Sequence, residues 1–547
     1  MAILTMLQAE ARTKPYKVAS MAALAGVANA LILAIVNLAA SNVSTDGVSL
    51  RMAAMFALAM GIYALSQRYI MVISATEVEN IIHRIRVNLS EKIRHADLLS
   101  LQRAGQSEIF AVISRETQTI SQVIGILVIG CQSAILVFFT LLYIAVLSKT
   151  AFIISVGFTV LAASIHLHRA GVLRGQYYRA MTLENSLFDR LRDLLDGFKE
   201  VKLNIARGDE LEQDFNAISS QTADAKIGMQ RQSADAFIFS QVSFYLLIGT
   251  MVFIVPIFSQ TISEVVMKTS TAILFLIGPI SNLVQAIPMF AAANAATDNI
   301  QRLETVLDAA ATDKDSRLPS TPQASFKEIQ FEGVTFSYVD ALSGTRFSVG
   351  PFDITLKQGE TVFVTGGNGA GKSTFLKLLT GLYKPEGGVI RLDGEPLDPR
   401  NYARYRSMFS AVFTDYHLFR RLYGLGTPEN AVLADLLKTM EIDKKVAVQD
   451  REFDTIELSG GQRKRLALIV TILERRPIIV LDEWAADQDP IFRRKFYEEL
   501  LPIFKAEGKT ILAVTHDDRY FHMSDRQLRM EEGRFTTVTG QDEGASA

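Results

Sequence analysis

Gly366-Gly-Asn-Gly-Ala-Gly-Lys-Ser373 decides how this chain is read. It matches G-x4-G-K-[ST], follows the apolar strand-like run 361–365 and precedes a helical pattern that starts near Thr374. That strand–loop–helix setting is what the motif requires. Gly366, Gly367, Asn368, Gly369, Ala370 and Gly371, with Thr374 beyond them, form a candidate triphosphate site. The glycines let the backbone turn with its N–H groups inward, making a concave anion site at a helix N-terminus. Lys372 is placed to reach the β- and γ-phosphates, and the Ser373 hydroxyl to ligate Mg²⁺.

Two further elements lie downstream. Ile478-Ile-Val-Leu-Asp-Glu483 reads as a buried parallel strand ending in two carboxylates. Unpaired charge is costly to bury, so a pair of acids closing an apolar strand calls for a ligand. Asp482 is placed to hold Mg²⁺ directly or through water, and Glu483 to orient and activate an attacking water. Leu458-Ser-Gly-Gly-Gln462 opens a helical stretch, so Ser459, Gly460, Gly461 and Gln462 offer a hydroxyl and free N–H groups as a second anion site.

Composition bounds the rest. The 547 residues are 49% hydrophobic and only 21% charged, and the apolar excess is concentrated before about residue 300. A formal net charge of −2 gives no argument for nucleic acid as a partner. The single cysteine, Cys131, excludes an internal disulfide and reads as a small buried hydrophobe.

Six apolar segments, at about 18–40, 52–74, 123–146, 151–165, 237–258 and 269–290, approach the ~20 residues a helix needs to cross a membrane. The first is too long for a cleavable signal and reads as a retained helix with membrane lipid around it. The two long gaps, 77–122 and 169–236, are charged and helical in pattern and predict hairpins projecting from the membrane. Arg12, Lys14 and Lys17, with Arg84, Arg86, Lys92, Arg94 and Arg103 in the first gap, place both termini and both hairpins in the cytoplasm by the positive-inside bias. Gln132, Asn282 and Gln285 could line a pathway or bond helix to helix. The expected organisation is a transmembrane domain over 1–305, a polar, Pro-broken linker at 306–325, an α/β nucleotide-binding domain over 326–540 and a disordered tail at 541–547. The fold class is thus a six-helix α-helical transmembrane domain followed by an α/β P-loop NTPase domain.

The phosphate loop, Leu458–Gln462 and Ile478–Glu483, in this order, resemble the ATPase domain of ATP-binding cassette (ABC) proteins. With six preceding spans the chain is similar to an ABC exporter half-transporter. The resemblance implies ATP and Mg²⁺, ATPase activity and a head-to-tail homodimer. It also supplies roles for single residues: Tyr338 stacks on adenine, His516 contacts the γ-phosphate as the switch histidine, and Asp489 is the D-loop aspartate that signals between sites. Thr414 stands where the family carries the Q-loop glutamine, with Asp415 beside it, and either could replace the amide as metal or water ligand. The acidic-glycine motif before the signature is missing.

Phe409–Phe419, the tryptophan of Leu481-Asp-Glu-Trp-Ala-Ala-Asp-Gln-Asp-Pro490 and Gly197–Asn204 resemble the bacterial cyclic-peptide and siderophore-peptide exporter branch, of the pyoverdine, syringomycin and microcin exporter type. That resemblance implies a peptidic substrate, the inner membrane, and a coupling helix at Gly197–Asn204. With no cysteine-peptidase domain in the sequence, leader-peptide processing is not expected. A lipid or drug exporter, or a nucleotide-gated membrane sensor, are the other readings.

Overall fold

The computed structural model describes residues 15–42, 50–254, 263–310, 325–339, 346–426 and 428–540. Arg12 and Lys14, most of the expected linker and the expected tail lie outside them. The chain divides into two compact units, Met1–Glu91 with Gln106–Thr305 and Lys92–Gly105 with Val306–Ala547.

Helices α1 (Pro15–Asn42), α2 (Leu50–His95), α3 (Leu98–Ala104), α4 (Gln106–Ala111), α5 (Thr117–Leu147), α6 (Lys149–Asp196), α7 (Phe198–Leu203), α8 (Ile205–Gly249), α9 (Ser263–Leu274) and α10 (Ile277–Ala310) build the first half of the chain. Five stretches among the described residues are long and apolar enough to cross a membrane: Ser20–Ala39, Leu50–His95, Glu108–Leu147, Ile205–Ile254 and Val265–Ala310. The expected fourth span, at 151–165, falls in α6, where the apolar helical stretch Lys149–Leu161 is shorter than a full span. In the sequence Ser164, His166, His168 and Arg169 end that run, so the count of six is not reached on length and composition.

Leu33, Val137, Ile144, Phe244, Leu247, Met251 and Ile273 join α1, α5, α8 and α9 in one apolar cluster. Two polar pairs bridge helices. Gln67 Nε2 donates to Gln132 Oε1 at 3.0 Å, and Asn282 Nδ2 to Ser133 Oγ at 3.2 Å, so Gln132 and Asn282 join helix to helix. Helices α6 and α8, of 48 and 45 residues, would each extend about 70 Å. They are tied by Arg190–Asp214 at 2.7 Å and Lys226–Glu184 at 2.6 Å. At their tip Asn204 caps α8 by accepting from the Arg207 N–H at 3.2 Å, while Phe198, Leu203 and Ile205 are exposed.

The second unit holds two main sheets and a small antiparallel hairpin of β7 (Val448–Gln449) and β8 (Glu452–Phe453). The first has the order β2–β1–β4–β5, with β1 (Glu328–Val339), β2 (Arg346–Lys357), β4 (Gly387–Leu392) and β5 (Glu395–Pro396) antiparallel. The other has the order β12–β11–β3–β10–β9–β6, built from β3 (Thr361–Gly366), β6 (Phe409–Val412), β9 (Ile478–Asp482), β10 (Thr510–Val514), β11 (Arg526–Glu531) and β12 (Arg534–Gly540). All its neighbours are parallel except the β11–β12 hairpin. Every residue of β9 and β10 is buried, as continuous apolar runs in a parallel sheet require. Helices α11 (Lys372–Leu379), α12 (Tyr402–Arg406), α13 (Asn430–Thr439), α14 (Gly460–Leu473), α15 (Pro490–Lys495) and α16 (Leu501–Ala506) connect the strands. Because β3, β10 and β9 are neighbours and parallel, the residues that follow them meet at one sheet edge.

Helix α3 belongs to this unit although it lies in the first long hairpin of the sequence. Asp97 caps it by accepting from the Ser100 N–H at 2.8 Å, and Gly105 ends it at φ 79°. Leu98 and Leu99 pack on the core of the first sheet, and the Tyr383 hydroxyl donates to Gln102 Oε1 at 3.0 Å. Nothing in the sequence signals this docking, because Leu98–Arg103 has no motif of its own.

Candidate functional site

The loop after β3 turns on glycines that no other residue replaces. Gly366 sits at φ 144°, and a Cβ there would come within 2.2 Å of the Met530 carbonyl oxygen on β11. Gly371, at φ 103°, is the N-cap of α11, and its added Cβ would meet Val349 at 2.8 Å. Lys372 opens α11 with its side chain buried. Its Nζ donates to the carbonyls of Gly366 at 2.9 Å and Gly367 at 3.0 Å and lies 3.7 Å from Glu483 Oε1.

Ser373 Oγ donates to Asp482 Oδ2 at 2.9 Å. Asp482 is 2% exposed, and its Oδ1 is buried without a hydrogen-bond partner. A hydroxyl and an orphaned carboxylate oxygen, both hard donors, suit a divalent cation such as Mg²⁺. Glu483 follows with φ 51°, a left-handed conformation uncommon for a residue with a Cβ. Its Oε1 is 3.2 Å from Nε2 of His516, which follows β10 by one residue. Lys372, Ser373, Asp482, Glu483 and His516 are thus brought together by three adjacent strands. A cavity of about 230 Å³ beside them is lined by Glu483, Arg493, His516 and Asp517 among others.

Behind His516 stands a pair of aromatic rings. Tyr497 stacks on Tyr520 at 4.3 Å, its hydroxyl is 2.7 Å from Thr515 Oγ1, and it donates to Asp517 Oδ2 at 3.2 Å. Burial pushes the Tyr497 phenol well up, so it remains a neutral donor. Arg493 holds Asp517 from the other side at 3.2 Å.

Ser459 is the N-cap of α14, with extended backbone and no capping bond from its side chain. Ser459 and Gly460 are exposed, and a Cβ added at Gly460 would meet nothing within 4 Å. Gln462 is half-buried. Asp489 serves locally: its carboxylate caps α15 through the N–H groups of Ile491 at 3.1 Å and Phe492 at 3.0 Å, and accepts from Arg465 at 2.6 Å. The Phe492 N–H above all, aided by the Arg465 guanidinium, holds its carboxyl below the ordinary value.

Tyr338, half-buried at the end of β1, packs on Phe347 at 5.7 Å. Thr414 and Asp415 lie in an exposed turn after β6. Asp415 comes within 3.9 Å of Lys377 on α11, and no described bond joins either residue to Ser373 or Asp482.

Sequence reasoning passed over Lys464 and Arg465, which are both buried in α14. Both lie in the run 464–469, buried on every side of the helix, so no helical period sets them apart in the sequence.

A family model described as "ABC transporter" matches residues 349–486. The ATP-binding protein SyrD of Pseudomonas syringae pv. syringae is 33% identical over 471 residues, covering 83% of this chain and 82% of that protein. The chain belongs to the ABC transporter family. An ATP-dependent lipid A-core flippase of Burkholderia orbicola (strain AU 1054) is 26% identical over 85% of this chain and 79% of its own. Among solved structures, a bacterial Atm1-family ABC exporter with ATP bound has a TM-score of 0.76 at 20% identity, covering 98% of this chain and 95% of that one. The transporter therefore has the fold of an ABC exporter, an N-terminal helical domain followed by an ABC nucleotide-binding domain, and is an ATPase whose hydrolysis is coupled to transport.

Proposed function

We propose that this transporter exports a cyclic or otherwise modified peptidic small molecule across the bacterial inner membrane, as a homodimer of six-span chains with cytoplasmic termini. The observation that carries the ATP-driven part is the meeting of Lys372, Ser373, Asp482, Glu483 and His516 at one sheet edge, with the Asp482 Oδ1 left for a ligand. ATP binds along Gly366–Thr374, with Tyr338 against adenine. Lys372 turns from the loop carbonyls to the phosphates and neutralises their charge. Ser373 and Asp482, with Thr414 or Asp415 as further candidates, hold Mg²⁺, which when bound supplies charge neutralisation at the phosphate oxygens. Glu483 takes the proton of the attacking water, and His516, through its 3.2 Å contact, holds that carboxylate and the γ-phosphate in one geometry.

The dimer follows from the other element. Each chain has one phosphate loop and one signature, and the Ser459 side chain makes no capping bond to its own helix. In the homodimer Ser459, Gly460, Gly461 and Gln462 close on the nucleotide held by the partner, and Asp489 lies near that boundary. ATP then stabilises the closed dimer because it contacts both chains only there. The exposed Phe198, Leu203 and Ile205 at the tip of the second hairpin are suited to be covered by the partner's nucleotide-binding domain, carrying closure to the membrane helices.

The peptidic substrate rests on Phe409–Phe419, Trp484 and Gly197–Asn204, which resemble the peptide-exporter branch, and is supported by the match to SyrD over most of the chain. Export of a lipid is the second reading, favoured by the lipid A-core flippase relative. Stimulation of ATPase activity in nanodiscs by cyclic peptides but not by lipid A supports the first; the reverse overturns it. Glu483→Gln is expected to lower hydrolysis by about 10²- to 10⁴-fold while ATP binding persists. Rapid turnover by that variant contradicts the role given to Glu483.

A further inference from the structure

Lys464 places an ammonium in the buried part of α14, 5% exposed. A cation at such depth is held by specific acceptors or not retained. Two acceptors are present. Its Nζ donates to the backbone carbonyl of Glu483 at 2.8 Å and pairs with Asp487 Oδ2 at the same distance. Its own backbone carbonyl accepts from the indole N–H of Trp484 at 2.8 Å. Trp484 is 1% exposed and packs 4.6 Å from the Phe496 ring.

The residue so clamped has an uncommon backbone conformation. Glu483 has φ 51°, which glycine adopts freely and a glutamate does not. Its N–H donates to the Val514 carbonyl at 3.2 Å, and its C=O accepts from Lys464 Nζ at 2.8 Å and from the Ala486 N–H at 3.3 Å. The peptide groups on both sides of the Glu483 Cα are therefore fixed, one by the end of β10 and one by the signature helix. With the backbone fixed, the side chain leaves the strand end toward His516 and Lys372. A backbone in a sparsely populated region persists only where its surroundings over-determine it. On the carbonyl side Lys464 does so from another helix, at a shorter distance than the local Ala486 N–H.

We propose that Lys464 is a positioning residue for ATP hydrolysis, holding the Glu483 backbone in the conformation that aims its carboxylate. The inference rests on the reading of Glu483 as the water-activating group. It goes further by making the aim of that group depend on the helix opened by Ser459. The same ammonium grips Asp487, so helix α14, the strand end and the 484–489 loop share one cation. A shift of α14 when Ser459 engages a nucleotide would then be felt at Glu483 of the same chain, which serves the other site.

The test uses the full chain in nanodiscs, with Lys464→Met, Glu483→Gln and the double variant. Lys464→Met keeps the aliphatic stem and removes the donors. Its expected effect is a fall in kcat of about tenfold or more, with the KM for ATP changed less than about twofold. In the Glu483→Gln background the same substitution is expected to cost nothing further, because Lys464 acts only through Glu483. Unchanged kcat, a rise in KM alone, or a loss that multiplies with that of Glu483→Gln overturns the proposal. Normal turnover of Glu483→Gln itself overturns the reading of Glu483 instead, so the two failures are distinguishable. Should Lys464→Met not fold, Lys464→Arg, whose planar head cannot reproduce both contacts of Nζ, is measured in the same cycle. It is expected to show the same kcat loss confined to the Glu483 background, and parental kcat overturns the proposal.

Discussion

The phosphate loop and the signature segment are both helix N-termini in one domain, yet they are built to opposite ends. The phosphate loop is answered by its own chain: Lys372 on two carbonyls, Ser373 on Asp482, Glu483 against His516. The signature is braced only from behind. Lys464 and Arg465 lock α14 to Glu483, Asp487, Gln488 and Asp489, while Ser459 and Gly460 face outward, the hydroxyl making no cap. One helix end is bonded to groups of its own chain; the other presents an uncapped hydroxyl outward.

Each half of that contrast can be broken separately. The largest effect belongs to the phosphate-loop side, in the loss of hydrolysis expected of Glu483→Gln. Next comes the brace behind the signature. Gly461 lies against the loop that follows Glu483, where an added Cβ would stand 2.6 Å from the Asp487 carbonyl oxygen. That atom is backbone and cannot swing aside, so Gly461→Ala must move either α14 or the loop. ATPase kcat is expected to fall about tenfold with nucleotide binding retained; parental kcat would mean that the two elements are not rigidly joined.

The smallest effect is at Asp489. Losing its cap in Asp489→Ala should cost about 1 kcal/mol of domain stability, measured by denaturant midpoint near neutral pH. Its carboxyl is held low by the Phe492 N–H and then by Arg465, so the stabilisation is present above the ordinary carboxylate range. It is lost as pH falls through the depressed folded value. The difference between Asp489→Ala and the parent should therefore shrink on acidification, and a difference that grows would reverse the assignment.

Much of this was legible in the sequence, for a physical reason. Gly366–Ser373 and Ile478–Glu483 are contiguous in the chain, and their chemistry depends on local backbone and on the end of a single strand. What the sequence hid depends on distant packing. Helix α3 docks through Leu98, Leu99 and the Gln102–Tyr383 bond, across 281 positions. Lys464 and Arg465 fall in a run buried on every side of α14, and their partners Glu483, Asp487, Gln488 and Asp489 come from another part of the chain. Asp489 carries a family role in the sequence, but in the fold its carboxylate is occupied by α15 and Arg465. The fourth span blurred because its apolar run shades into His166, His168 and Arg169 without a break in the helix.

The central claim is that the presenting surface of one chain completes the phosphate loop of another. Lys372→Ala and Ser459→Arg homodimers should each be inactive. Differently tagged, the two chains can be co-expressed and the mixed dimer purified through both tags. That dimer has one intact phosphate loop facing one intact signature, and ATPase activity of up to about half the parental rate is expected. If each chain used its own signature, both sites of the mixed dimer would be broken, and a mixed dimer as inactive as its parents would contradict the account.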